Sequence, residues 1–185
     1  MRLTIEIRAK AVVEAYRAHL GPGDSVLDVG CGNGVMAEEI RKGLGCKMMG
    51  TDIMEYLKTD LPYKPMSEPA KLPFSDGEFS AALFTDALHH MPSDIQLVLI
   101  KEALRVSRKV LLLEMRPTLA AKATDWIMNK IHNPSMPIPW TMRDLPDWKR
   151  ELEKFANIDE ARPLEKPFFL YPVDHFVIAL GRRPG

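Results

Sequence analysis

The stretch Val26-Leu27-Asp28-Val29-Gly30-Cys31-Gly32-Asn33-Gly34 constrains this chain more than any other. Residues 25–29 form an apolar run around one acid, the pattern of a strand buried on both faces. A glycine cluster follows, and then a helix-period pattern over 35–44 with Met36, Ile40 and Leu44 on one side. A strand that turns through glycines into a helix belongs to a doubly wound α/β sheet, which binds ligands at the carboxyl ends of its strands. Glycines there permit positive φ and close backbone approach to a ligand. The spacing is GxGxG; a dinucleotide fingerprint, GxGxxG, would need glycine where Val35 stands.

Two acids narrow the choice. Asp28 lies inside the strand, where a charge is expensive to bury without a partner. It either caps the loop amides or meets a cationic, amine-bearing ligand; the second explains its place better. Asp52 closes the next predicted strand, 46–51, at 22 residues beyond Gly30. That is close to the offset of about 20 residues at which an acid meets ribose hydroxyls. Both NAD and S-adenosylmethionine would satisfy it.

The rest of the chain keeps the alternation. A helical stripe over 4–20 ends at Gly21-Pro22-Gly23. Residues 56–73 lose periodicity around Pro62, Pro65, Pro69 and Pro73, and read as irregular chain with at most one short edge strand. A strand over 79–85 precedes a helix to about Val106, opened by a capping box of Ser93 and Gln96, with Ile95, Val98, Leu99 and Ala103 inward. A strand is expected at 110–115, helices at 118–132 and 144–156, and two closing strands at 158–163 and 175–182. The alternation predicts one parallel α/β domain over 1–185, and the closing pair, having no helix between them, should be antiparallel.

Composition excludes rather than selects. Lys+Arg and Asp+Glu both number 25, so no global charge steers the chain to nucleic acid or acidic membranes. Cys31 and Cys46 form no disulfide framework, and no metal-ligand spacing is legible. The N-terminus lacks an apolar signal core and no run is long enough to span a bilayer, so the expected setting is cytoplasmic. Oligomeric state is not legible.

Taken together the motifs resemble those of class I S-adenosylmethionine-dependent methyltransferases. VLDVGCGNG looks like their first motif and Gly50-Thr51-Asp52-Ile53 like their second. The run Glu68-Pro69-Ala70-Lys71-Leu72-Pro73-Phe74, continuing to Phe79, resembles a segment of the methyltransferase type 11 group. So do Ala87-Leu88-His89-His90 and Glu102-Ala103-Leu104-Arg105-Val106; beyond residue 115 the resemblance thins. It implies a Rossmann-like, seven-strand sheet, mostly parallel with an antiparallel closing hairpin, and S-adenosyl-L-methionine as cofactor. Carried over by position, Gly30, Cys31, Gly32 and Gly34 cradle the methionine portion with Asp28 near its amine. Asp52 binds the ribose, Ile53 lies against adenine, and Glu68 accepts from the adenine amino group. Thr85 and Asp86 face the transferable methyl. Two departures stand out: Pro69 has no N–H to offer adenine, and only 15 residues separate Asp52 from Glu68, so the usual second helix is shortened or missing.

Methyl transfer from a sulfonium needs donor and acceptor held in line, which can supply roughly 7–11 kcal/mol. A base is needed only where the acceptor must lose a proton. His89 and His90 are the candidate bases; the competing reading is that they pack between strand and helix. Cys31 reads as a small filler rather than a nucleophile. For the acceptor pocket, residues 116–150 supply a candidate lid. Asp125, Asn129 and His132 share a helix face bounded by Trp126, Ile127 and Ile131, which either lines a pocket or is solvated. Trp140 follows in a proline-stiffened loop over 133–141, while Trp148 fits core packing equally well and Tyr171 and His175 are weaker substrate candidates. The expected acceptor is a small molecule, because so few residues lie beyond the core sheet. A protein or RNA methyltransferase, or a non-catalytic S-adenosylmethionine-binding protein, are the alternatives.

Overall fold

The computed structural model describes residues 2–132, 139–166 and 171–183, with side chains described from Glu6 and excepting His132. Among them a six-stranded sheet forms the centre, in the order β2-β1-β3-β4-β6-β5. The strands are β1 (Ser25–Val29), β2 (Lys47–Thr51), β3 (Phe79–Thr85), β4 (Ser107–Met115), β5 (Ala156–Pro163) and β6 (His175–Arg182). Pairing of β2, β1, β3 and β4 is parallel; β6 lies antiparallel to β4, and β5 antiparallel to β6. The helices are α1 (Arg2–Tyr16), α2 (Val35–Leu44), α3 (Ser93–Val106), α4 (Leu119–His132) and α5 (Leu145–Leu152).

Period-two alternation sends the two faces of each strand to different helices. Val12, Tyr16, Ile40, Val26, Leu83 and Leu111 make the core on the α1–α2 face. Leu27, Val29, Phe84, Leu99, Ile100 and Leu112, with Trp148 of α5, make the core on the other. Each fully buried large apolar side chain is worth about 1.5–3 kcal/mol. Trp148 is thus a core residue, as packing alone suggested. Asp28 shares the parity of Val26 and so points to the α1–α2 side.

Four expectations need correction. The described residues hold six strands, not seven. Between β2 and β3 a single parallel bridge joins Gly50 to Tyr63, with the Gly50 amide on the Pro62 carbonyl and the Lys64 amide on the Gly50 carbonyl. Prolines without N–H groups on both sides stop that edge from lengthening. No capping box opens α3: Pro92 is its N-cap residue, and no side chain caps it. Val98 faces solvent, and Gln96 is the buried residue instead. Finally, α5 stops at Leu152 rather than continuing to 156, because Ala156 already begins β5. No helix is long and apolar enough to cross a membrane among the described residues.

Candidate active site

The glycine turn behaves as its composition requires. Gly30, Gly32 and Gly34 take φ of 75°, 54° and 78°, the left-handed region that side chains resist. The amides of Gly30 and Cys31 both donate to the Thr51 carbonyl, and Gly34 N–H donates to the Cys31 carbonyl. These bonds hold the turn's shape from within the protein. What it offers a ligand is its Cβ-free surface, since a Cβ on Gly32 would meet nothing within 4 Å. Cys31 is a filler, as expected: its Sγ occupies the space where Gly50 would otherwise carry a Cβ, 2.7 Å away. Burial pushes its thiol well up, so it is no nucleophile.

The two acids divide their roles. Asp52 Oδ2 accepts the Gly32 amide at 3.0 Å and Oδ1 the Met54 amide at 3.2 Å, so the half-buried carboxylate braces the loop. Ile53 beside it is exposed. Asp28 is buried and receives no hydrogen bond among the described residues. Burial, reinforced by the charge of Asp52, lifts its carboxyl to about 7. Among the described residues no loop amide is capped by Asp28.

Over the loop lies the segment after β2. Lys58 N–H donates to the Asn33 carbonyl at 3.0 Å, and a Cβ on Gly34 would stand 2.8 Å from Leu57 Cδ1. Glu68 and Pro69 lie farther on, both exposed. They line a hollow with Phe74 and with Ile95, Glu102 and Arg105 of α3, and neither Gly30–Gly34 nor Asp52 lines it. Two residues before Glu68, the Met66 amide donates to the Asp52 carbonyl at 2.9 Å, which ties this segment to the end of β2.

At the end of β3, Thr85 Oγ1 lies 3.0 Å from the hydroxyl of Tyr16. Asp86 follows in a left-handed conformation, φ 51°. Its Oδ2 accepts from Arg8 at 2.5 Å and lies 3.2 Å from His175 Nε2. Burial opposes its charge, but His175 and Arg8 outweigh it and hold the carboxyl below the usual range. Nothing in the sequence pointed to Arg8, 78 positions away. His175, a weak substrate candidate, lies against Asp86.

The next residues form a single 3₁₀ turn, Leu88–His90. It packs against the glycine loop: a Cβ on Gly30 would stand 2.9 Å from Ala87 Cβ and 3.6 Å from the end of Met91. His89 is buried and its Nδ1 lies 2.6 Å from Glu114 Oε2, while Glu114 Oε1 accepts the amides of Ala87 and Leu88. Burial disfavours a charged His89, yet Glu114 and Asp125 prevail and hold it up at about 10. His90, pressed by burial and by the charge on His89, is pushed down to about 4. The two tempting histidines are therefore unlike each other. Glu114 was overlooked, although an acid inside the apolar run of β4 is the same signal that singled out Asp28.

Of the acceptor candidates, α4 turns Asp125 inward onto the histidines and leaves Trp126, Ile127 and Ile131 exposed. Asp125 Oδ1 is 3.4 Å from His89 Nε2 and 3.7 Å from His90 Nε2. Asn129 Nδ2 donates to the Asp125 carbonyl and to Oδ1, at 2.8 and 2.7 Å, so it clamps the acid rather than lining a pocket alone. The solvated-face reading is thus wrong for Asp125. The side chain of His132 and the loop over 133–138 lie outside the described residues. Trp140 is half-exposed with φ 56°. Its neighbour Thr141 anchors the chain over the turn, with Oγ1 donating to the carbonyls of His89 and Met91. Gln96, expected as a capping residue, completes the junction instead: Nε2 donates to the carbonyls of Leu88, Met91 and Thr141, and Oε1 accepts from Arg143.

Comparison with known proteins agrees with this fold. A family model described as a methyltransferase domain matches residues 4–158. The chain is 34% identical over 91 residues to a sterol 24-C-methyltransferase of Schizosaccharomyces pombe, covering 43% of this chain and 24% of that protein. It is 37% identical over 102 residues to a sterol 24-C-methyltransferase of Gibberella zeae, covering 46% and 27%. The chain thus spans about a quarter of the length of these relatives. The magnesium protoporphyrin IX methyltransferase of Synechocystis PCC 6803, solved with bound SAH, superposes with a TM-score of 0.66 at 18% identity, over 97% of this chain and 84% of that one.

Proposed function

The chain belongs to the methyltransferase-domain family, and from that premise we propose that it is an S-adenosylmethionine-dependent enzyme that methylates a small, largely apolar acceptor at the carboxyl ends of β1 and β3. The observation that carries the reading is the convergence at the carboxyl ends of β1 and β3. The positive-φ glycine loop, the unpartnered buried Asp28 and the turn after Asp86 meet through the contact of Gly30 with Ala87. In this reading Asp28 pairs with the ammonium of the methionyl portion and Asp52 takes the ribose hydroxyls with its remaining lone pairs. Glu68 serves the adenine edge.

The reaction asks little covalent chemistry of the protein. The acceptor's electron pair forms a bond to the methyl carbon, and the carbon–sulfur bond breaks with its electrons on sulfur. The sulfonium becomes a neutral thioether, and any surplus proton on the acceptor leaves to a base or to water. Alignment of donor and acceptor in a water-poor site supplies most of the acceleration.

The acceptor class follows from α4 and the segment around Trp140, which are the chief additions to the sheet and its flanking helices. They expose Trp126, Ile127, Ile131 and Trp140, apolar surface of the kind that marks a binding or membrane-contact face. Sterol methyltransferases among the relatives support a small acceptor. The test is transfer of labelled methyl from S-adenosylmethionine into lipid extracts and aqueous metabolites, run beside total protein and RNA. Label in the lipid-soluble fraction is expected; label confined to protein or RNA would overturn the acceptor class.

A further inference from the structure

The polar cluster beneath α4 contains more unmet bonding capacity than methyl transfer requires. Five buried side-chain atoms lack a hydrogen-bond partner among the described residues, and four belong to this neighbourhood: Asp86 Oδ1, His89 Nε2, His90 Nδ1 and Asp125 Oδ2. An unmet buried carboxylate or imidazole is costly, and a native structure keeps few without cause. His89 Nε2, His90 Nε2 and Asp125 Oδ1 converge, with one atom from each of these residues lying within 4.8 Å of the others. Ligand atoms sharing one ion at bonds of about 2.0–2.2 Å must come roughly this close.

We propose that His89 Nε2, His90 Nε2 and Asp125 bind a divalent transition-metal ion. Two imidazoles and a carboxylate suit zinc, iron, cobalt or manganese rather than calcium, and three protein ligands leave open positions on the ion. The surrounding shell is already built. Glu114 takes His89 Nδ1 at 2.6 Å and is itself held by two backbone amides, the carboxylate–histidine arrangement that aims Nε2 at a metal. Asn129 holds Asp125 from the next turn of α4. An alternative trio, Asp86, His89 and Glu114, is less suited, because Arg8 and His175 already neutralise Asp86 and three donors occupy Glu114. Met91, next in the chain to His90, contacts the glycine loop, so an ion bound at this turn would present an acceptor oxygen toward the proposed methyl-donor site. That role rests on the methyl-transfer reading; the binding of the ion does not.

The test uses the full chain, stripped with chelator and titrated with Zn(II) by calorimetry and with Co(II) by visible absorption, without S-adenosylmethionine or acceptor. One ion per chain is expected, with cobalt d–d bands and no thiolate charge-transfer band, which separates this site from Cys31 and Cys46. Asp125→Asn and His90→Gln keep shape and polarity, and each should weaken binding by at least about tenfold; Glu114→Gln should weaken it by about 10–100-fold. Near-ultraviolet circular dichroism identifies any variant that fails to fold, and His90→Gln, at the partly exposed ligand, then decides. Absence of one-to-one binding in the parent, or binding unchanged in folded His90→Gln and Asp125→Asn, overturns the site. Either result leaves methyl transfer standing, since that is read by label and not by metal.

Discussion

Asp52 Oδ2 accepts the amide of Gly32 at 3.0 Å, so the acid closing β2 braces the loop that follows β1. Replacing Asp52 by Ala removes the brace and, on the proposed reading, the ribose acceptor. S-adenosylmethionine affinity should fall by about 1–3 kcal/mol, the scale of hydrogen bonds to a charged group. Asp52→Asn keeps an oxygen for Gly32 and should recover part of that loss. Calorimetry on both variants checks this; equal affinity in Asp52→Ala and parent would remove Asp52 from the ribose site.

Asp28 sets a pH dependence. Its carboxyl sits at about 7 in the folded protein through burial and the charge of Asp52, against roughly 3.9 unfolded. Between those values the folded state holds a proton that the unfolded chain releases. This group's contribution to stability is complete below the unfolded value and is lost as pH rises through about 7, with about 4 kcal/mol as the upper scale. Tyr16 and Cys31, which feel the Asp28 charge, are both pushed up and stay neutral across that window. Denaturant titrations should show unliganded stability falling over the window, and Asp28→Asn flattening the fall.

The same acid must be ionised to pair with the ligand's ammonium. Affinity for S-adenosylmethionine should therefore climb as pH passes about 7 and fall again as the ligand amine loses its proton near roughly 8. Asp28→Asn should bind more weakly and lose the rising limb. A parent affinity flat across neutral pH contradicts the pairing.

Gln96 ties three carbonyls from two segments to α3. Gln96→Leu leaves those acceptors short of a donor in a buried place, where each costs about 1–3 kcal/mol. Partial rescue by Thr141 Oγ1 at Met91 brings the expected loss to about 2–3 kcal/mol in urea denaturation. A neutral result would show that water enters the junction.

Trp140 carries φ 56°, a conformation in which a bulky residue is strained by about 1–3 kcal/mol. Trp140→Gly should relieve that strain and be the more stable variant, whereas Trp140→Ala should not. Both should leave cofactor affinity nearly intact and raise the acceptor's KM or lower kcat, if the ring covers the acceptor. Unchanged turnover in both, with stability alone altered, would reduce Trp140 to packing.

Short-range pattern determined a good deal here. The bounds of β1, α2, β3 and β6 are legible because continuous apolar runs and helical periodicity depend on near neighbours in the chain. The glycine loop and its two acids are legible because left-handed backbone and a charge inside a strand leave a residue-type signature. Pairing of buried polar groups carries no such signature. Arg8 reaches Asp86, Glu114 reaches His89 and Gln96 reaches Thr141 across 78, 25 and 45 positions, and only the crossovers of the sheet decide which donors meet which acceptors. An acid in β4 could be seen to need a partner; that the partner is His89, and that Asp125 from α4 closes on the same imidazole, was decided by tertiary packing. The reason is physical: burial makes a polar group's demand visible locally, while the means of meeting it comes from whichever distant element the fold brings within 3 Å or so.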